Sequence, residues 1–320
     1  MVRTDVADGT IATADAAIDL SIVIVSWNTR ALLLRCLAAL DRAAPGLRRE
    51  TIVVDNGSTD GTPAAIRAAF PDVRVLEPGG NLGFAGGNNV GLARATGRFL
   101  CLLNPDTEPR PGALAALVSY LASHPHVGAV GPRLLHSDGS EQAVGFRFPT
   151  LAQVFLDFFP LGGRFADSRL NGRYPAQPRD RPFPIDFPLG ACILVRRAAM
   201  EATGPLDDAY FMYSEEVDWC RRMRTVGWPI WCVPTAEVIH YGGQSVVQQS
   251  TRMYVELHRS RRRYYRRHHH PGFVLTARLL TRAAMLRETA RAWRAYRRGG
   301  LTREEWRART RACGAIFHLP

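Results

Sequence analysis

The sequence predicts a three-layer α/β/α domain with a mostly parallel central sheet, followed by basic helices. Two features carry this reading. Apolar runs of strand length alternate with helical patterns through the first half of the chain, as in sheets covered by helices on both faces. The charge is also divided: from His258 to Pro320 there are 17 Arg and three Glu, whereas the remainder holds 24 Arg and 26 acids. A nearly neutral body is thus joined to a strongly basic tail.

Residues 1–19 are small and polar and read as a disordered extension. Ser21–Ser26 (SIVIVS) is apolar on both faces, the mark of a buried strand, and Leu32, Leu33, Cys36, Leu37 and Leu40 follow at helical spacing. Thr51–Asp55 is a second strand closed by Asn-Gly-Ser, Thr62–Phe70 a helix, and Val73–Glu77 a third strand. A glycine-rich loop and short helix occupy Gly79–Ala95, before strand Phe99–Asn104. Pro111 suits the first turn of helix 111–123, and Val127–Pro132 is another strand. Residues 136–185, rich in Pro, Gly, Arg and Phe, form an irregular excursion or flap. Strand Phe187–Arg196, an acidic helix near Glu215–Thr225, and strands around Pro229–Pro234 and Glu237–His240 complete the domain at about residue 250. Residues 251–320 read as a basic, helical C-terminal region.

At 320 residues and 46% hydrophobic, the chain suffices for one large α/β domain and an appendage. Its six cysteines show no metal-ligand spacing and read as reduced core side chains. No signal-peptide core precedes the first strand, and no apolar run reaches 18 residues, so a cytoplasmic protein without a membrane span is expected.

Ligands of such sheets bind beyond the carboxyl ends of the strands, where Ser26–Asn28, Asp55 and Asn104–Asp106 fall. Asp55 fits either a turn cap or an acceptor for a base or ribose. A carboxylate at Asp106 suits Mg²⁺ or Mn²⁺ on a diphosphate, and equally a capped loop entry. In the stretch Asn81–Gly91 (NLGFAGGNNVG), the glycines let backbone approach a ligand and the asparagines offer donors and acceptors. It has neither the GxGxxG of dinucleotide enzymes nor the GK[ST] end of a phosphate loop, which disfavours both classes. Glu215, Glu216 and Asp218 would repel one another, raising one proton affinity toward that of a general base, or would simply complement a helix dipole. His240, at a strand end before Tyr-Gly-Gly, is a structural histidine or a metal ligand.

Taken together, the strings SIVIVSWN, TIVVDNGSTDGT, NLGFAGGNNVGLARATGRFLCLLNPDTEP, GACILVRRAAMEATGPLDDAYFMYSEEVDWCRRMRTVGW and VPTAEVIHYGGQS resemble the family 2 glycosyltransferases, whose fold is called GT-A. The likeness runs in family order across roughly residues 20–250 and is nearest to bacterial rhamnosyltransferase-like members. It implies inverting transfer from a sugar nucleotide, dTDP-rhamnose or a UDP-sugar, with a divalent cation as cofactor. By resemblance, Val25, Ser26, Trp27 and Asp55 hold the nucleoside, and Asn81 belongs to the sugar-nucleotide site. Asn104 and Asp106 occupy the Asp-x-Asp motif, with Asp106 and His240 on the metal. Gly190 and Ala191 lie beside the sugar or acceptor. Glu216 takes the place of the base, with Glu215 the rival assignment, and Asp218 supports the helix or the acceptor site. Two departures stand out: Asn104 replaces the first Asp, and Glu216 replaces the usual Asp.

In the tail, Leu275, Leu279, Ala283, Leu286, Ala290 and Trp293 form an apolar stripe, with Arg278, Arg282, Arg287, Arg291, Arg294 and Arg298 around it. This suits an anionic membrane surface, or else docking on the body or in a homodimer. Without a nucleic-acid motif, nucleic acid is not an expected partner. The expected partners are a sugar nucleotide, a lipid-linked or glycan acceptor, and the inner face of the cell membrane. A nucleotidyltransferase would want a basic glycine-rich loop after the first strand, where Trp27-Asn28-Thr29 stands. A non-catalytic nucleotide-sugar-binding scaffold is the alternative outside enzymes.

Overall fold

The computed structural model describes residues 17–142, 145–161, 165, 168–174, 180–242 and 250–320. A nine-stranded sheet forms its centre, built from β1 (Leu20–Ser26), β2 (Arg49–Asp55), β3 (Arg74–Leu76), β4 (Phe99–Leu103), β5 (Thr107–Pro109), β6 (Ala129–Leu135), β8 (Phe183–Ile185), β10 (Cys192–Arg196) and β11 (Ile230–His240). Two short strands, β7 (Gly145–Phe146) and β9 (Phe187–Pro188), pair separately. The order is β3-β2-β1-β4-β10-β6-β11-β5, with β8 also on β11. Strands β1 to β4 are parallel, as are β6 and β11. The strand β10 enters between β4 and β6 antiparallel to both. The expected mostly parallel sheet is therefore interrupted at its middle.

Alternation along the strands explains the layers. Ile22, Ile24, Val53 and Cys101 face one core with α1 (Arg30–Ala43), α2 (Thr62–Ala69) and α4 (Ala113–Ser123). Val23, Val25, Ile52, Val54 and Leu102 face the other, with α3 (Gly83–Leu92), α5 (Leu151–Phe158), α6 (Arg197–Thr203) and α7 (Glu215–Thr225). Both faces are buried, so each such side chain contributes about 1.5–3 kcal/mol of transfer free energy. Ile22→Ala would cost about 2–5 kcal/mol.

The glycine-rich stretch is the loop and short helix its pattern predicts, but not all of its glycines face a ligand cavity. Gly83–Leu92 is helix α3, and a Cβ at Gly91 would lie 2.3 Å from Val23 Cγ1. Glycine there serves close helix–sheet packing, not the approach of a ligand. The two strands expected at 229–240 are one, β11, whose register shifts between Val233 and Glu237, as a bulge at Pro234 allows. Residues 17–19, assigned to the disordered extension, are bonded into the sheet edge: Asp19 N–H donates to Arg48 O at 2.8 Å and Arg98 N–H to Ile18 O at 3.0 Å. Residues 1–16 lie outside the described residues.

Three helices end the chain: α8 (Ser250–His268), α9 (Pro271–Arg297) and α10 (Arg303–Phe317). The first belongs to the body, because Tyr264 and Tyr265 enter the core shared by α3, α6 and α7. Phe273, Ala277, Ala284, Met285 and Ala292 are the buried residues of α9, whereas Leu275, Leu279, Leu286 and Trp293 are 57%, 56%, 62% and 52% exposed. The stripe read from the sequence is thus the outward face of the helix. No helix among the described residues is long and apolar enough to cross a membrane.

Candidate active site

A cavity of about 360 Å³ opens at the carboxyl ends of β1 and β4. The residues read from the sequence as nucleotide-binding that line it are Val25, Trp27 and Asn81, joined by Asn56 and Phe84. Gly190, Ala191, Glu215, Glu216, Asn104, Asp106 and His240 line the same cavity. Ten of the thirteen sequence-assigned residues therefore line one cavity, and three do not. Ser26 is buried behind the wall, its hydroxyl 3.0 Å from that of Thr29. Asp55 caps its own turn, accepting from Ser58 N–H at 2.9 Å, while its Oδ1 is buried without a partner among the described residues. Asp218 faces the tail.

Strand pairing brings Asp106 to His240. The short strand β5 runs antiparallel to β11 with Thr107 opposite His240, and Tyr241 N–H donates to Asp106 O at 2.9 Å. The register sets His240 Nε2 3.6 Å from Asp106 Oδ1. Gln142 fixes the ring from behind: its Oε1 is 3.0 Å from His240 Nδ1, and its amide nitrogen donates to His240 O at 2.7 Å. With a proton on Nδ1, Nε2 keeps its lone pair toward Asp106. Burial depresses the His240 pKa, with His136 adding to it and Asp106 opposing it, so the neutral ring is favoured. Asn104 Oδ1 is buried and unpartnered nearby. A carboxylate, a neutral imidazole and a spare amide oxygen suit a divalent cation that keeps water or phosphate oxygens for its other positions. Among the described residues no cluster of three His, Cys, Asp or Glu side chains could hold a metal unaided.

The carboxylate pair sits on a strained turn. Tyr213 and Ser214 have φ of 71° and 65°, a left-handed conformation that costs a non-glycine residue of the order of 1 kcal/mol or more. It aims the first turn of α7 into the cavity. Gly83, with φ +75°, lets the opposing loop close: a Cβ there would lie 2.2 Å from Phe211 O, and Phe84 N–H donates to that oxygen at 2.7 Å. Burial raises the pKa of both Glu215 and Glu216. Glu215 rises further beside the charge of Glu216. Main-chain amides at the helix start hold Glu216 lower. Of the pair, Glu215 is thus the one favoured to hold a proton. Gly190 leaves space beside it: a Cβ there would be 3.5 Å from Glu216 Cδ.

Sequence reasoning missed Gln142, which lay in the irregular excursion, and the part played in the cavity by α8, which it read only as the start of a basic helical tail. Met253 of α8 lines the cavity, Arg252 stacks over the Phe211 ring at 5.0 Å, and Ser260 Oγ donates to Met212 O at 2.7 Å. The buried face of α8 runs Met253, Glu256, Ser260, Tyr264. Its helical spacing is readable, but two of the four are polar, which hid it from a search for apolar stripes.

The model of the family described as "Glycosyl transferase family 2" matches residues 21–204. The chain belongs to this family. It is 32% identical over 260 residues to the N-acetylglucosaminyl-diphospho-decaprenol L-rhamnosyltransferase of Mycobacterium tuberculosis, covering 75% of this chain and 82% of that protein. In fold it is similar to the mannosyltransferase PcManGT of Pyrobaculum calidifontis in complex with GDP-Man and Mn²⁺, with a TM-score of 0.55, 17% identity, and 94% and 87% of the two chains covered. Residues 1–349 of S. aureus TarS give a TM-score of 0.52 at 14% identity, covering 92% of this chain and 91% of that fragment. This family 2 protein is a glycosyltransferase of GT-A fold, and its relatives place it in glycan synthesis.

Proposed function

We propose that this glycosyltransferase moves L-rhamnose from dTDP-rhamnose onto a hydroxyl of a lipid-linked acceptor, with inversion at the anomeric carbon. The observation that carries the mechanism is that the Asp106–His240 pair and the Glu215–Glu216 pair open into one cavity. Support for the sugar and the acceptor comes from the mycobacterial relative, whose name specifies rhamnosyl transfer to a diphospho-decaprenol-linked substrate. UDP-sugars are the rival donors.

In this reading Val25, Trp27, Asn56 and Asn81 hold the nucleoside, and Gly190 and Ala191 leave room for the sugar. Asp106 and His240, backed by the Asn104 amide oxygen, would hold a Mg²⁺ or Mn²⁺; the ion supplies neutralisation of the diphosphate leaving group. A bound Mn²⁺ in the structurally similar mannosyltransferase supports this. Glu216 removes the proton from the acceptor hydroxyl as its oxygen attacks the anomeric carbon and the bond to the diphosphate breaks. Glu215, the more strongly raised of the two, keeps its proton beside the Glu216 carboxylate. Most of the acceleration is orientation and electrostatics in a site shielded from water.

The outward stripe of α9 and the basic tail support peripheral attachment at the inner face of the cell membrane, where a lipid-linked acceptor resides. The deciding test is Glu216→Gln. Donor binding by calorimetry should change less than about threefold, while transfer falls by at least about 10³-fold. Undiminished turnover would remove Glu216 from this role.

A further inference from the structure

The chain's C-terminal helices enclose a second cavity, far more basic than the first. Val154 and Phe158 of α5 form one side, and Arg261, Arg262, Arg278 and Arg282 surround it. Its closed part is only about 30 Å³, room for roughly one water, so any larger group must sit at the mouth among the guanidinium groups. No carboxylate lines it. Arg261 is paired with Asp157 at 3.0 Å. The remaining three share the space without an acid: Arg262 donates to Leu319 O at 3.0 Å and Arg282 to Phe317 O at 3.2 Å. The Nε atoms of Arg262 and Arg278 are buried with no hydrogen-bond partner among the described residues. Burial, and then the charges of Arg278, Arg266 and Arg282, lower the Arg262 pKa. Cations held together at such a cost are relieved by an anion, and planar forked donors fit phosphate oxygens.

The neighbouring surface indicates what carries the phosphate. On α9, Leu275, Arg278, Leu279 and Arg282 lie at i, i+3, i+4 and i+7, on one side of the helix, and Leu275, Leu279 and Leu286 project into solvent. Apolar side chains beside a basic cleft complement a headgroup with its acyl chains. From this juxtaposition we infer that the Arg262–Arg278–Arg282 cleft binds the phosphate of an anionic membrane lipid. This rests on the membrane attachment proposed above and gives it a defined site. Helix α8 carries both Met253 of the reaction cavity and Arg262 of this cleft. Nine residues separate them, roughly 14 Å along the axis at 1.5 Å per residue, so the lipid would hold the reaction cavity close to the bilayer.

The test uses the full chain with inorganic phosphate and with vesicles of phosphatidylcholine, with or without phosphatidylglycerol. Phosphate should raise the melting temperature of the wild type more than chloride at equal ionic strength, and should lose that advantage in R278Q. Arg278 makes no described hydrogen bond to the main chain, so this variant should keep its fold. Vesicles containing phosphatidylglycerol should bind the wild type at least about tenfold more tightly than neutral ones. R278Q/R282Q should lose about tenfold, while the charge-matched R303Q/R307Q on α10 stays within about twofold. Equal losses in the two double variants, or equal stabilisation of R278Q by phosphate, would overturn the site alone. Phosphate stabilisation without vesicle binding would overturn the lipid as its source. Absence of both phosphate stabilisation and wild-type binding to any vesicle would overturn the site and the membrane attachment together, leaving glycosyl transfer untouched.

Discussion

His268 Nε2 lies 2.7 Å from Asp218 Oδ1, and through this contact the basic tail grips the helix that carries Glu215 and Glu216. Asp218 is fully buried and also receives Arg222 Nε at 2.8 Å, with Arg267 Nη1 at 3.4 Å. Burial alone would raise its pKa, but the hydrogen bonds from His268 and Arg222 outweigh that and hold the carboxyl below its ordinary value of 3.8.

Removing the carboxylate would strand buried positive charge. Asp218→Ala should therefore cost about 3–5 kcal/mol in urea denaturation, and His268→Gln, which keeps a donor, much less. A depressed carboxyl pKa adds stability that is complete above the ordinary value and is lost as pH falls below it. The difference between wild type and Asp218→Ala should accordingly shrink on acidification below about pH 4. A constant difference from pH 7 to pH 3 would contradict this.

The proton favoured on Glu215 gives the opposite sign. A carboxyl whose folded pKa is raised stabilises the fold at low pH, and that contribution is lost as pH rises through the folded value. At neutral pH Glu215 should thus be a destabilising residue. Glu215→Gln should raise the melting temperature, by roughly 2–4 °C for each kcal/mol recovered, and retain transfer within about tenfold because the amide keeps the size and neutrality of the protonated acid. A scan showing no gain at pH 8, or transfer as low as in Glu216→Gln, would refute the assignment of the proton.

Gln142 touches neither carboxylate of the reaction pair, yet it orients His240 from both its amide atoms. Gln142→Ala should weaken Mn²⁺ binding, measured by calorimetry in the presence of the donor diphosphate, by about 10–100-fold. The far-ultraviolet dichroism should not change. Unaltered Mn²⁺ affinity would show that the His240 ring needs no support, or that it holds no ion.

The fold was readable because the strands at its centre are apolar on both faces: Ile22 and Val23 point to opposite cores, and each is fully buried. Strand-end residues such as Trp27, Asn104 and Asp106 were readable for the same reason, since position along a buried strand fixes where it emerges. Orientation was not readable. Strand β10 reads like any other apolar run, and nothing local states that it enters antiparallel. Gln142 was invisible because its importance lies in two hydrogen bonds to a residue 98 positions away. Asp55 and Ser26 were placed at the right strand ends but one step behind the cavity wall, a distinction that depends on side-chain direction. The role of α8 was concealed because Glu256 and Ser260 are buried by partners that no periodicity reveals.

Met253 forms part of the reaction cavity, while the same helix grips Asp218 fifteen positions further on. A removable anchor would leave the chemistry intact when cut away; this one would take a piece of the vessel with it. If the tail docks on a bilayer as proposed, docking and turnover would be mechanically linked: whatever tilts that rod would also reshape the space offered to the incoming hydroxyl. An enzyme so arranged would not need to search solution for its acceptor, because the surface delivering the lipid would also set the reaction chamber.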